Sequence, residues 1–237
     1  GGVKVELAII RGGEKRLVPF EYAPREEGER PMALDVLLQA QATDIPDLSF
    51  RYGCRNRTCG LCTVDINGRP RVGCRARVRE GDQLSAPSTL PVVRDMVSKR
   101  DGIARQLRGR VPSTLRGNDL DVEAPEDYHA LTACIECYAC LDKCPMHARN
   151  FDQGIERRDE NKAYTSGNPF SLLKLQRIRL DPVATREDAN KALNAAIELG
   201  IDACYDCPGC KCGVGIDLKR KVVKPLVDAS KALLSED

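Results

Sequence analysis

Twelve cysteines fall into three groups of four. Cys54, Cys59, Cys62 and Cys74 form a C-x4-C-x2-C-x11-C set. Cys134, Cys137, Cys140 and Cys144, followed by Pro145, form a C-x2-C-x2-C-x3-C-P set. Cys204, Cys207, Cys210 and Cys212 form a third, C-x2-C-x2-C-x-C. The first spacing opens like the plant-type [2Fe–2S] loop, and the second is the bacterial ferredoxin run that holds [4Fe–4S] cubanes. A zinc ribbon wants two C-x2-C pairs far apart, which none of these sets supplies. A disulfide framework belongs to a shorter, secreted chain. The chemistry expected is one-electron transfer by several clusters.

The spacing also assigns ligands. In the bacterial run the cysteine before proline serves the other cluster. Cys134, Cys137 and Cys140 are therefore expected to share one [4Fe–4S] cluster with a cysteine of the third set, Cys212. Cys144 is expected to complete the third cluster with Cys204, Cys207 and Cys210. The short Cys210–Cys212 interval leaves open which cysteine completes the middle cluster. In the first set, Gly53 and Gly60 let backbone N–H groups approach the inorganic sulfides, and Arg55 and Arg57 add positive charge. The bland reading of those arginines is a solvated loop.

The elements that must carry these cysteines follow from periodicity. Val3, Val5, Leu7 and Ile9 alternate, Gly12-Gly13 offers a turn, and Val18, Phe20 and Tyr22 resume the alternation, so a hairpin is predicted. Leu34, Leu37 and Leu38 have helical spacing. Thr63 to Ile66, Asn67-Gly68 and Arg71 to Cys74 read as a second hairpin. Strands flanking one helix with a cysteine loop between them suit a β-grasp ferredoxin domain. The second half reads as helical. Asn168-Pro169 starts one helix, with Leu172, Leu175 and Ile178 on its apolar side. Thr185 with Asp188 starts another, ended by Gly200. A last helix runs from Asp217, interrupted or restarted at Pro225. The fold class expected is α+β: a plant-type [2Fe–2S] β-grasp domain over 1–103, a linker over 104–130 with Gly117-Asn118-Asp119, and an all-α two-cluster domain over 131–237. The run Glu156-Arg157-Arg158-Asp159-Glu160 reads as a solvated face or insertion loop.

Composition sets the outer limits. The chain has 237 residues, 37 basic and 35 acidic, for a net charge of +2. That gives no case for nucleic acid or anionic lipid as the main partner. No apolar run reaches the length of a membrane-spanning helix. The start at Gly1-Gly2 lacks both a methionine and a signal-peptide pattern, so a trimmed or processed start is expected; cluster thiolates in turn imply a reducing compartment.

The order of these parts resembles the iron–sulfur subunit of succinate dehydrogenase and fumarate reductase. Leu34-Asp35-Val36-Leu37 precedes Ile45-Pro46-Asp47-Leu48 and Phe50-Arg51-Tyr52-Gly53-Cys54-Arg55. Leu90-Pro91-Val92-Val93-Arg94-Asp95-Met96-Val97 resembles the signature after the first domain. Cys134-Ile135-Glu136-Cys137 and Asn168-Pro169-Phe170 resemble the second. The resemblance implies no catalytic residue on this chain. It implies a partner subunit carrying FAD, three clusters in line, and delivery to a quinone through a membrane-anchor subunit. It implies a respiratory role linked to the tricarboxylic acid cycle, peripheral on the cytoplasmic face of a prokaryotic membrane rather than in a mitochondrial matrix. The family's third centre is usually [3Fe–4S]; Cys207 stands near the position where that type lacks a cysteine, and so favours [4Fe–4S]. The chain has no tryptophan, whereas many members place tryptophans beside the quinone. His147 and Tyr205 are candidates for the acceptor outlet. For His147, as for His129, the bland reading is a flexible surface side chain. The alternative reading is a soluble flavoprotein or thiol–disulfide reductase complex with another substrate.

Overall fold

The computed structural model describes residues 1–112, 122–151 and 164–236. The expected Gly117-Asn118-Asp119 stretch and the charged run Glu156 to Glu160 lie outside them. The chain divides into two compact units. The first comprises Gly1–Lys99 with Ile135–Asp142, and the second Arg100–Cys134 with Lys143–Asp237.

The first unit is built on a five-stranded mixed sheet. Strands β1 (Val3–Arg11) and β2 (Glu14–Tyr22) form the expected hairpin, with Arg11 paired to Glu14. Both turn residues, Gly12 and Gly13, have positive φ, the conformation a two-residue hairpin loop requires. Helix α1 (Ala33–Ala42) follows, its first turn closed by Asp35, which accepts from the Met32 N–H at 2.9 Å. It buries Ala33, Val36, Leu37 and Ala40 against Leu7, Ile9 and Leu84 of the sheet. Strands β3 (Thr63–Ile66) and β4 (Arg69–Val72) pair across Asn67-Gly68. The second strand therefore ends before Cys74, two residues earlier than its sequence suggests. Gly73 N–H bonds to the Cys62 carbonyl at 3.1 Å and Cys74 N–H to Cys62 Sγ at 3.3 Å, and these bonds bend Gly73–Arg75 into a 3-10 turn.

Strand β5 (Gln83–Ser85) has no counterpart in the periodicity reading, because three residues cannot establish an alternation. It nevertheless holds the sheet together, pairing parallel to β1 and antiparallel to β3, which gives the order β2-β1-β5-β3-β4. Pro70 is tolerated because β4 lies at the sheet edge. A two-stranded ribbon, β6 (Val92–Arg94) with β7 (Val97–Ser98), closes the unit.

Among its described residues the second unit is helical. It contains α2 (Asp101–Arg105), α3 (Glu126–Leu131), α4 (Pro145–Ala148), α5 (Pro169–Leu180), α6 (Arg186–Glu198) and α7 (Lys224–Leu234). Both expected caps form: Asn168 accepts from Ser171 N–H and Thr185 from Asp188 N–H, each at 3.0 Å. Gly200 follows α6 with φ +96°. The last helix opens with a wider π-type turn over Lys219–Val223. Pro225 has no N–H to give the Lys221 carbonyl, and the backbone accommodates that loss upstream. Gln106, within the expected linker, is buried here: it donates to the Ser166 carbonyl at 2.8 Å and accepts from Asn168 at 3.0 Å.

Candidate functional site

None of the twelve cysteines is in a disulfide. The first set lies on the loop between α1 and β3 and on the turn after β4. Cys54 Sγ accepts three backbone N–H groups, from Asn56 at 3.3 Å, Thr58 at 3.2 Å and Cys59 at 3.3 Å. Cys59 Sγ accepts from Cys54 N–H at 3.5 Å. Arg55 and Arg57 have φ of 61° and 60°, which folds the loop around the sulfur, and their side chains are exposed. The Cys54 thiol is drawn down to about 6, first by a hydrogen bond from the Thr58 side chain and then by backbone N–H groups. Burial pushes Cys62 up to about 11, against the N–H of Cys74. An all-sulfur donor set wrapped in backbone N–H groups is what a cluster's thiolates require, so these residues fit one.

The second set is divided between the units. Cys137 and Cys140 belong to the first, Cys134 and Cys144 to the second. Cys137 is buried and flanked by Glu136 and Tyr138, both left-handed at φ 57° and 60°. Cys212 Sγ accepts from Val214 N–H at 3.3 Å.

The third set gathers in the second unit. Burial pushes Cys204 and Cys210 up to about 12, reinforced by the charges of Cys144 and Cys207 on both. Burial raises Cys144 as well, partly offset by N–H groups of His147 and Met146. Thiolates at these four half-buried positions would repel one another; a cationic iron core removes that conflict. Among the described residues, no group of His, Cys, Asp or Glu is gathered as ligands of one bare metal ion.

His147 is buried, not a flexible surface side chain. Its ring packs edge-on against Phe151 and Tyr164, with centroids 5.0 and 5.6 Å away, and its backbone N–H donates to Cys144 Sγ at 3.4 Å. Tyr205 is half-buried beneath the Lys231 ammonium, 4.6 Å from its ring centre. His129 lies in the last turn of α3, edge-on to Tyr128. A basic stretch escaped the periodicity reading. Residues 51–79 hold eight arginines, one aspartate and no lysine, in a chain of net charge +2. Arg69, Arg71, Arg75, Arg77 and Arg79 are all exposed, alternate with buried neighbours, and form no ion pair with the described residues. The R-x-R repeats were visible in the sequence and bracket Cys74.

A model of the 2Fe-2S iron-sulfur cluster binding domain matches residues 11–105. A subunit of the fumarate reductase (CoM/CoB) of Methanothermobacter marburgensis is 29% identical over 188 residues, covering 77% of this chain and 34% of that protein. The fumarate reductase iron-sulfur subunit of Escherichia coli is 28% identical over 128 residues, covering 49% of this chain and 52% of that one. The chain is thus similar to iron–sulfur subunits of fumarate reductases and succinate dehydrogenases. It spans a third to about half the length of the first curated relatives it matches. A chain of the Mycobacterium smegmatis Sdh1 complex in the apo form superposes with a TM-score of 0.75 at 22% identity, covering 97% of this chain and 95% of that one.

Proposed function

We propose that this chain is the electron-transfer subunit of a succinate dehydrogenase/fumarate reductase-type complex, passing electrons between an FAD-bearing flavoprotein and an acceptor. The observation that carries this reading is the pairing of two sulfur sites within one chain: the N–H-wrapped Cys54 loop and the half-buried Cys144, Cys204, Cys207 and Cys210 group. The sheet order and the helical second unit support its division into a β-grasp ferredoxin domain and a two-cluster domain. Cys54, Cys59, Cys62 and Cys74 would hold a [2Fe–2S] cluster. Cys134, Cys137, Cys140 and Cys212 would hold a [4Fe–4S] cluster, and Cys144, Cys204, Cys207 and Cys210 the third. Bound clusters supply one-electron oxidation and reduction. The chain supplies thiolates, N–H donors and exclusion of water. No helix among the described residues is long and apolar enough to cross a membrane, so contact with a membrane quinone would be made through an anchor subunit. The site proposed is the cytoplasmic face of a prokaryotic membrane.

The flavoprotein is expected to dock by charge. Arg55, Arg57 and the arginines from Arg69 to Arg79 present fixed, exposed positive charge beside the first set. Replacing Arg55, Arg57, Arg75 and Arg77 together by glutamate should slow association with an FAD subunit roughly tenfold at low salt, and the deficit should shrink as salt screens it. Stopped-flow reduction at two ionic strengths reads this; equal rates for the variant and the wild type would refute the docking surface.

A second reading has its own support. The relative named for CoM/CoB matches 77% of the chain, against 49% for the Escherichia coli subunit. In that reading the acceptor is a thiol–disulfide couple and no anchor is needed. Tyr205→Phe tests Tyr205 as the outlet in the quinone reading. If quinone is the acceptor, the variant should lose quinone reduction and keep dye reduction, since a dye can take electrons upstream. Intact quinone reduction would move the outlet away from Tyr205, and His147 would then be tested by His147→Phe.

A further inference from the structure

Thr63 follows Cys62 and opens β3, where its backbone pairs with Val72. Its side chain does something the ladder does not need. Thr63 Oγ1 donates to the Cys137 carbonyl at 2.7 Å, across 74 residues of sequence. Three residues earlier, Gly60 approaches the same segment. A Cβ at Gly60 would sit 2.0 Å from the Ile135 carbonyl oxygen, and the residue has φ +71°. Between these two contacts, Cys62 and Cys137 are 5% and 8% exposed and share one apolar cluster with Leu34, Val72, Cys74 and Ala139. The receiving loop is strained on both sides of Cys137, with Glu136 and Tyr138 left-handed, a conformation that surrounding contacts must hold.

We propose that Thr63 is a positioning residue that fixes the separation of the first and second cysteine sets and couples the clusters they hold. The proposal rests on the cluster assignment above. Transfer between two such centres moves one electron: the first centre is oxidised by one, the second reduced by one, and no bond forms or breaks. Separation and connectivity are then set by the protein, as are the potentials of the two centres. Thr63 sets the separation and the connectivity. From Cys62 the route runs through one adjoining residue, its hydroxyl and a single hydrogen bond to the backbone of Cys137. Gly60 keeps the two loops at backbone contact.

The test compares Thr63→Val with Thr63→Ser in the full chain loaded with iron and sulfide. Valine keeps the shape and loses the donor; serine keeps the donor. Loss of one hydrogen bond should speed amide exchange across residues 135–142 roughly fivefold in the valine variant, with serine near wild type. The magnetic interaction between the two reduced centres, read by electron paramagnetic resonance, should weaken with valine and return with serine. Unchanged exchange and unchanged interaction in the valine variant would overturn the proposal. If valine prevents folding, Thr63→Ala replaces it: alanine and serine behaving alike would overturn the proposal, and recovery with serine alone would support it. Wild-type protein with no iron would instead defeat the cluster assignment, while amide exchange would still report on the Thr63 contact.

Discussion

Asp95→Ala should destabilise the first unit by about 3 kcal/mol and loosen its cysteine loop. Asp95 is fully buried at the turn between β6 and β7. Oδ1 accepts from Ile10 N–H at 3.1 Å and Arg11 Nε at 3.3 Å; Oδ2 accepts from Ser49 N–H at 3.0 Å and the Arg11 terminal nitrogen at 3.2 Å. Its own N–H returns to the Ile10 carbonyl at 2.8 Å. One carboxylate thus joins the end of β1, the ribbon and the segment that leads into Cys54. Alanine leaves two backbone donors and part of the Arg11 charge without an acceptor, and that desolvation cost is the main loss. Arg11 keeps Asp47, which limits the damage. The urea midpoint of the full chain, followed by circular dichroism, should fall by about 1–2 M. Asp95→Asn should lose less than half of that, since it keeps one acceptor oxygen and tolerates the φ of 48°. An alanine variant within about 0.3 M of wild type would show that the network contributes little.

Asp95 also shows where sequence reading stops. It stands inside the segment Leu90 to Val97 that carries the family resemblance, yet its role depends on Ile10 and Ser49, which lie 85 and 46 residues away. Local signals performed well where the physics is local. The Gly12-Gly13 turn, the caps at Asn168 and Thr185 and the stop at Gly200 each depend on residues within one turn of chain. The cysteine groups were legible for the same reason. Failures follow the same line. Strand β5 is too short to show a period and exists because β1 and β3 pair with it on either side. The end of β4 is decided by Cys62, not by its own residues. Left-handed Arg55, Arg57, Glu136 and Tyr138 carry no glycine to announce them. That segment 135–142 groups with the sheet while Cys134 groups with the helices is a tertiary fact, held by contacts such as Thr63 with Cys137. A single histidine looks like surface in composition, and only the packing of Phe151 and Tyr164 places His147 inside.

The largest change in composition should come from the third set. With one two-iron and two four-iron centres, the loaded chain should carry about ten irons; a three-iron third centre would give about nine. Cys207 decides between them. Its charge raises Cys144, Cys204 and Cys210 alike, and Cys212 adds to the rise at Cys210. The assignment proposed above makes Cys207 the fourth corner of that group and Cys212 a ligand of the middle centre. Cys207→Ser should remove about one iron and produce the resonance of an oxidised three-iron centre, with the other two centres unchanged. Cys204→Ser removes a corner common to both cluster types and should cost the whole centre, about four irons. Cys212→Ser should spare the third centre and damage the second. Iron and acid-labile sulfide analysis of anaerobically prepared protein, with resonance spectra of each variant, checks all three. A strong three-iron signal already present in fresh wild-type protein, unaltered by Cys207→Ser, would remove Cys207 from the ligand set. It would leave the third centre with Cys144, Cys204 and Cys210 alone.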